Sequence, residues 1–336
     1  ACDDKGNFFP LLYVACELAE KDELPVNVRC LIEGEEEVAG TSAHDWLVAD
    51  DRGADCAVVF DSDMMDADTP ALTIAVRGIV AFSVEVRCAP RDLHSGLYGG
   101  AALNSVHVLH AMLDRVLPGP DGLLRDELRA GITPPTPEEL DSWASFVSGD
   151  EVVSEVGGRP IDPSIATDYW RRNGADASLD VNGIEGGDAV QTRTIIPATA
   201  RAKFTIRLAP GQSYKEIGAA AEALMREAIP PNADATIEWD GNDGALFDPT
   251  QPALALGIKA IEEASGMTVA LQRSGGSIPV LKTFYDRGIP TILSGFALAA
   301  DAIHGVDESY RLESIALGER SARRLYENLS HVKDGR

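Results

Sequence analysis

The chain has 336 residues, of which 45% are hydrophobic and 25% are charged, values typical of a globular protein with a substantial core. Acidic residues outnumber basic residues by 54 to 29, and the formal net charge of −25 opposes binding to phosphate backbones and to anionic lipid. No apolar run approaches the roughly 20 residues that cross a bilayer. We therefore expect neither a nucleic acid nor a membrane as a partner.

The cysteines indicate the cellular compartment of the protein, and the first residues bear on whether its natural N-terminus is included. The five cysteines are widely spaced and include no Cys-x-x-Cys pair, so they indicate neither a zinc knuckle nor a redox motif. A reducing cytoplasm fits this usage. The sequence starts at Ala1 without an initiator Met and shows no signal peptide, so we expect the natural N-terminus to lie upstream.

Strands that end in acidic residues organise the first part of the chain. Apolar spacing predicts, in order, a helix over 7–21, a strand over 26–32, a helix through Trp46 and Leu47, and a strand over 56–60. The first strand runs into the acidic segment 33–37, and the second ends in Asp61 and Asp63. The strand, helix, strand order predicts a parallel α/β sheet, whose ligands gather beyond the carboxyl ends of the strands. Carboxylates in those positions indicate a site.

The pattern changes after Pro70. The segments that predict a smaller α+β unit are strands within 72–87, a helix over 101–117, a strand over 194–208, a helix over 213–228 and a strand over 235–239. Between its halves, Thr136 and Glu139 form a capping-box sequence with Pro at the first helical position. The α/β alternation resumes with a helix over 251–264, a strand over 291–293 and a helix over 313–329. We predict a discontinuous α/β domain, 1–71 and 246–336, with an inserted α+β domain, 72–245.

Carboxylates and one imidazole supply ligand chemistry for hydrolytic zinc or manganese. The residues concerned are Asp3, Glu36, Glu37, Asp63 and His304. Taken singly, an acidic run is usually a solvated loop and a single His is usually structural. That interpretation weakens because the carboxylates recur at strand ends and because His304 lies in another loop that follows a strand.

Five successive segments resemble, in the same order, the signatures of carnosinase-like dipeptidases. They are Cys-Asp-Asp-Lys-Gly at 2–6, Glu-Gly-Glu-Glu-Glu at 33–37, Asp-Leu-His-Ser-Gly at 92–96, Arg-Ser-Gly-Gly-Ser at 273–277 and His-Gly-Val-Asp-Glu at 304–308. The resemblance covers nearly the whole chain and is to the zinc metallopeptidases of the carnosinase and aminoacylase-like dipeptidase family. It implies a di-metal catalytic α/β domain with an inserted lid and dimerisation domain.

The resemblance also implies roles for the acidic residues. Asp3 would bridge two metals, Glu37 and His304 would complete one site, Asp63 would bind the other, and Glu36 would be the general base. Two Zn²⁺ per complete subunit are expected, with Mn²⁺ or Co²⁺ as alternatives. A carboxylate beside two metals roughly 3.5–4 Å apart can accept a proton from a bridging water.

Residues of the lid and of the glycine loop within 273–277 would bind the substrate. The family's counterpart of His94 reaches the neighbouring subunit's active site and stabilises the oxyanion, which implies a homodimer through the lid. Thr194, Arg207, Gly276 and Ser277 are the other expected substrate-binding residues, with Arg207 able to pair bidentately with the substrate carboxylate. A surface His, a structural strand Arg and a simple helix N-cap at the glycine loop are the alternatives.

One departure limits these expectations. The family supplies a further metal-binding His and an orienting Asp upstream of the position of Asp3, and the sequence contains neither. His44 follows the glutamate pair and cannot take that role. We expect the second metal to bind weakly, the sheet to be incomplete and activity to be impaired in the chain as given.

Three functions compete at this stage. The favoured one is hydrolysis of dipeptides or short peptides by a metal-activated water with Glu36 as base. The alternative enzyme is an N-acyl-amino-acid deacylase that uses the same chemistry. The third is a non-catalytic dimerisation or binding protein, which would account for the missing His.

Overall fold

The computed structural model describes residues 1–38, 40–276 and 278–332. Its elements up to the middle of the chain are, in order, α1 (Asn7–Glu20), α2 (Ser42–Ala49), β1 (Ala57–Phe60), β2 (Ala71–Val76), β3 (Gly78–Arg87), β4 (Leu93–His94), α3 (Ser95–Tyr98), α4 (Ser105–Asp114), α5 (Pro137–Trp143), α6 (Gly149–Glu155) and α7 (Ile165–Ala175). The remaining elements are β5 (Ser178–Gly186), β6 (Ile195–Ile196), β7 (Thr199–Leu208), α8 (Tyr214–Arg226), β8 (Asp234–Asn242), β9 (Ala245–Leu246), α9 (Pro252–Ser265), β10 (Ala270–Ser274), α10 (Pro279–Asp286), β11 (Thr291–Ser294) and α11 (Leu312–Leu329).

The first sheet has the strand order β1-β11-β2-β10, with β9 paired to β2. β1 pairs with β11 and β2 with β10 in parallel, whereas the β11–β2 and β2–β9 contacts are antiparallel. Helices α9 and α11 pack on each other beside it, and its core buries Phe60, Leu72 and Phe296. The predicted parallel sheet is therefore present in a mixed form.

The second sheet is antiparallel, with the order β5-β7-β3-β8. Side chains of β3 alternate between buried and more exposed positions, as expected when one face meets a core and the other meets water. Helices α4 and α8 cover the buried face, where the rings of Phe82 and Phe204 stack with centroids 4.5 Å apart. This sheet corresponds to the predicted insertion.

The chain changes sheets at one residue. β2 belongs to the first sheet and β3 to the second, with Arg77 between them. The return occurs between β8 and β9, which pairs with β2. The domain limits 1–71, 72–245 and 246–336 stay a prediction.

The segment between α4 and β5, which is part of the insertion, also covers an edge of the first sheet. Helix α5 starts with the predicted capping box, in which Thr136 and Glu139 exchange hydrogen bonds. Trp143 Nε1 donates to the carbonyl of Leu271 (3.0 Å), and the amide of Leu271 donates to Ser142 Oγ (3.1 Å). These side chains satisfy backbone groups of the edge strand β10 and so protect it from pairing with other chains.

Two predicted strands are wrong in whole or in part. Residues 26–32 form no strand, although Val26 and Val28 pack beside α1 and α11, because this segment finds no pairing strand in the described part of the chain. The long strand predicted from Thr194 starts only at Thr199. Pro197 interrupts it, since proline lacks the amide hydrogen that a sheet requires. No helix among the described residues is long and apolar enough to span a membrane.

Candidate metal centre and substrate face

The acidic residues meet where two neighbouring parallel strands end. β1 and β11 run side by side, Asp61 and Asp63 follow β1, and the segment that carries His304 follows β11. The amide of Asp61 donates to the carbonyl of Ser294 (3.0 Å), and Asp63 forms a bridge with Ala297. The predicted placement of carboxylates at the carboxyl edge of the sheet is therefore present.

Asp3, Glu37 and His304 converge at this edge. Nε2 of His304 lies 2.9 Å from an Oδ of Asp3 and 3.0 Å from an Oε of Glu37. One ligand atom from each residue lies within 4.8 Å of the other two. Two carboxylates and an imidazole form a donor set that suits a divalent cation, and three protein ligands leave a position open for water or substrate.

The segment that carries His304 is held in an unusual backbone conformation. His304 has φ of 60°, and Ala302 and Asp307 are also left-handed, a region that residues other than glycine rarely adopt. Asp301 secures one end by accepting from the amide of Leu298 (2.8 Å). Such strain persists where surrounding bonds enforce it, and it is common at functional sites.

Glu308 secures the other end of that segment against the segment of Asp3. One carboxylate oxygen of Glu308 accepts from the amides of Asp3 (2.8 Å) and Cys2 (3.0 Å). Tyr310 adds a second tie, because its hydroxyl donates to Asn7 at the start of α1 (2.8 Å). Asp3 and the segment of His304 are thus fixed relative to each other by a contact between residues 305 positions apart in the sequence.

The concentration of negative charge raises several carboxyl pKa values. Burial, followed by the charge of Glu37, raises the pKa of Asp3, and burial with Glu37 and Asp3 raises the pKa of Glu36. Burial together with the charge of Asp4 raises the pKa of Asp61 to about 7. A divalent cation would relieve this repulsion, which is a second reason why the cluster fits one.

We expect Asp61→Asn to stabilise the metal-free protein above about pH 7. The unfolded carboxyl loses its proton near pH 4 and the folded one near pH 7, so the folded state binds more protons between these values and stability falls as the pH rises. The variant should gain on the order of 4 kcal/mol above pH 7 and nothing below about pH 4. Denaturant unfolding with a chelator from pH 4 to 8 measures this, with Asp51→Asn as the exposed control. A gain independent of pH would contradict the assignment.

Glu36 and Asp63 have different positions relative to the three clustered residues. Glu36 precedes Glu37 directly and is half-buried, whereas the Glu37 side chain is 56% exposed. Asp63 lies outside the group of three, but the charge of Asp3 acts on it, and burial with Asp301 and Asp3 raises its pKa. The predicted division of duties between these residues stays a prediction.

Among the predicted substrate-binding residues that the structure describes, Arg207 lies on the second sheet, whereas His94 belongs to a separate two-stranded sheet of β4 and β6, and Thr194 lies just before β6. His94 is exposed in β4, where its Nδ1 accepts from the amide of Gly96 (3.0 Å), and the carbonyl of Thr194 accepts from the amide of Ser95 (2.9 Å). Arg207 lies in β7 next to Ile79 of β3 and Ser178 of β5. Gly276 is exposed at the end of the glycine loop. Ser277 lies outside the described residues.

Four residues at or near the site received no role from the sequence. Asp61 carried the same strand-end signal as Asp63, whereas Asp4 and Glu308 lay inside segments that resembled family signatures. Arg77 gave no signal, because its importance comes from contacts with residues about 100 and 200 positions later in the chain.

Known proteins share both sheets. A family model described as the M20 peptidase dimerisation domain matches residues 74–233. The Cys-Gly metallodipeptidase dug1 of Schizosaccharomyces pombe is 27% identical over 342 residues, which cover 95% of this chain and 69% of that protein. The Beta-Ala-His dipeptidase of Homo sapiens is 30% identical over 308 residues, which cover 85% of this chain and 59% of that protein. This chain thus spans about three fifths to two thirds of these relatives.

Comparison with solved structures gives the same fold. The structure of the dipeptidase Dug1p from Saccharomyces cerevisiae aligns with a TM-score of 0.76 at 23% identity and covers 98% of this chain and 71% of that one. The inserted second sheet and the cluster at the edge of the first define a metallopeptidase architecture. Residues 74–233 match the M20 peptidase dimerisation domain, and the chain as a whole is similar to metallodipeptidases. The predicted family and fold class are confirmed.

Proposed function

We propose that this protein is a dipeptidase that depends on a divalent metal ion. The observation that carries the proposal is the convergence of Asp3, Glu37 and His304, with Glu36 next in sequence to one of them. The names of the relatives, Cys-Gly metallodipeptidase and Beta-Ala-His dipeptidase, support dipeptides as the substrate class. An N-acyl-amino-acid deacylase with the same chemistry is the alternative enzyme.

The metal would be held by Asp3, Glu37 and His304. Zinc is the ion we favour, with manganese or cobalt as alternatives. Two ions per complete subunit are expected, and Asp63 with the shared Asp3 would serve the second. A bound cation would polarise the scissile carbonyl and acidify an attacking water. Two carboxylates without an imidazole form a weak site, so we expect one tightly held ion in the chain as given.

Glu36 would hold and move the proton. Its raised pKa brings the carboxyl closer to neutral pH, where a general base can accept a proton and return it to the leaving amine. Glu37 is more exposed and directly contacts His304 through its carboxylate. The two neighbours therefore differ in surroundings in the way that separate base and ligand duties require.

The substrate would be oriented from the second sheet. Arg207 would bind the C-terminal carboxylate of the dipeptide, with Thr194, Gly276 and Ser277 as further contacts. His94 is exposed on the lid and would stabilise the oxyanion in the partner subunit of a homodimer formed through the lid. The match to a peptidase dimerisation domain supports this assembly. A cytoplasmic location stays a prediction.

Rates of hydrolysis test the proposal. For the full-length protein, a panel of dipeptides is compared with N-acetyl amino acids before chelation, after chelation and after return of Zn²⁺, Mn²⁺ or Co²⁺, with metal content measured throughout. We expect metal-dependent dipeptide hydrolysis. Preference for N-acetyl amino acids would support the alternative, and turnover that is indifferent to chelation, or absent with metal bound, would contradict the proposal.

We expect Arg207→Ala to raise the KM for free dipeptides by roughly 10- to 100-fold, the scale of a lost charge-assisted hydrogen bond. C-terminally amidated dipeptides should be affected far less, because they lack the carboxylate that Arg207 would bind. Arg201→Ala is the matched control, since Arg201 lies on the same strand and pairs with Glu85 on the surface. An equal loss for both kinds of substrate would argue against this role.

We expect Glu308→Ala to weaken metal binding by about 10- to 100-fold, because it releases the Asp3 segment from the His304 segment. Calorimetric titration with Zn²⁺ measures the affinity. Glu308→Gln keeps an acceptor and should recover part of it, whereas Asp307→Asn, an exposed neighbour, should have little effect. Parent-like affinity in Glu308→Ala would show that the tie is dispensable.

A further inference from the structure

Arg77 is buried at the single-residue junction between the two sheets. Its amide donates to the carbonyl of Gly276 in the glycine loop (3.0 Å), and its Nε donates to the carbonyl of Gly275 in the same loop (2.9 Å). The residue therefore holds two consecutive carbonyl groups of the loop that is expected to bind the substrate. The amide of Gly276 donates to Ser274 Oγ (3.1 Å).

The other end of the Arg77 guanidinium contacts the insertion. Nη1 donates to Ser178 Oγ at the start of β5 (3.2 Å), and Nη2 donates to Asn173 Oδ1 on α7 (3.3 Å). One side chain thus joins the glycine loop, which continues from the first sheet, to a helix and a strand of the insertion. A change in the angle between the sheets would break some of these bonds.

The segment 273–275 packs closely against helix α7. A Cβ at Gly275 would lie 2.4 Å from Asn173 Oδ1, and a Cβ at Gly174 would lie 2.4 Å from the carbonyl of Arg273. At position 174 only glycine permits the backbones of α7 and β10 to approach so closely, and at position 275 the absence of a side chain leaves room for the Asn173 amide. Helix α7 and the glycine loop are therefore locked together around Arg77.

The charge of Arg77 is balanced by dipoles. The acceptors of its guanidinium among the described residues are a carbonyl, a hydroxyl and an amide oxygen, all neutral. Burial, and next the charge of Arg207, lower the pKa of Arg77 to about 10, which outweighs the opposing influence of Asp180 and Asp176. Arg207 is also the direct strand neighbour of Ser178, which Arg77 contacts. Two positive charges therefore lie close together at this junction, where an anion would be stabilised.

We propose that Arg77 is the positioning residue for the substrate carboxylate: it locks the glycine loop and the lid in one relative orientation and adds a second positive charge behind Arg207. The inference deepens the proposed dipeptidase function and rests on it for the identity of the anion. Arg77 acts through Arg207 and the loop, because its own donors are engaged with protein oxygens.

Kinetics with matched substrates tests the role. Arg77→Gln should raise the KM for a free dipeptide by up to about 100-fold, the scale of a misplaced binding group, and should affect the C-terminally amidated dipeptide far less. Arg77→Lys keeps the charge and should recover part of this difference. Arg129→Gln is the control, since Arg129 is a partly exposed arginine of the insertion whose partner is Asp176. Arg129→Gln should change the KM for the free and the amidated dipeptide equally or not at all.

A second measurement does not depend on turnover. Spin labels at Ala219→Cys on α8 and Ala316→Cys on α11, both exposed, report the distance between a helix of the second sheet and a helix of the first. The exposed Cys16 and Cys30 are replaced by Ser in all variants. We expect a broader distance distribution in Arg77→Gln and an unchanged one in Arg129→Gln.

The kinetic comparison and the distance measurement together distinguish failure of the Arg77 role from failure of the proposed dipeptidase function. An unchanged distance distribution in Arg77→Gln overturns the positioning role, whether or not the protein hydrolyses dipeptides. Equal KM changes for free and amidated substrates in an active protein also overturn it. Absence of dipeptide hydrolysis in the parent protein contradicts the proposed function, and the distance measurement then decides on Arg77 alone.

Discussion

In the full-length protein, Glu36→Gln is expected to lower turnover by at least about 100-fold while leaving metal binding intact. The substitution keeps the size of the side chain and removes the group that accepts the proton. The three clustered ligands, Asp3, Glu37 and His304, are untouched, so the cation should still bind. Single-turnover kinetics and metal analysis on the same preparation measure both quantities.

Glu35→Gln is the matched control for this result. Glu35 precedes Glu36 in the same acidic run, is exposed, and loses the same charge on substitution. Its turnover should stay within a few-fold of the parent. Near-normal turnover of Glu36→Gln with normal metal content would remove Glu36 from the mechanism, and an equal loss in both variants would point to the charge of the loop instead.

Arg273→Met is expected to destabilise the fold by about 3–5 kcal/mol, because it leaves the carboxylate of Glu139 buried without its partner. Both side chains are almost fully buried, with 1% and 2% exposure, and Nε of Arg273 lies 2.5 Å from Glu139. Nη2 contacts the second carboxylate oxygen at 3.0 Å, and Nη1 donates to the carbonyl of Thr133 at 2.8 Å. The pair joins β10 of the first sheet to the start of α5.

Denaturant unfolding compares this variant with two others. The double variant Arg273→Met with Glu139→Gln removes both charges and should recover much of the loss, because a neutral pair costs less to bury than one unpaired charge. Lys282→Met removes half of a more exposed pair with Asp286 and should cost less than about 1 kcal/mol. A loss of that size in Arg273→Met would mean that water reaches Glu139.

Local patterns determined the elements whose own residues supply their contacts. The apolar spacing of 7–21 correctly predicted α1, which ends at Glu20, and the Thr136–Glu139 pair correctly predicted the start of α5. In each case the decisive interactions are made within a few residues. The order of the family-like segments likewise predicted the fold class, because the connections between them follow the same path through two sheets.

Partners distant in the chain decided the rest. Residues 26–32 have the pattern of a strand, yet a strand forms only where another strand accepts its backbone hydrogen bonds. His304 meets Asp3 because α1 packs on α11 and Asn7 at the start of α1 accepts from the amide of Phe296 after β11, and Glu308 reaches the amide of Asp3 across 305 residues. Arg77 looks like any strand-end arginine until the glycine loop and α7 close around it. The spacing of residues along the sequence does not predict such contacts, because they depend on how the sheets pack in the folded protein.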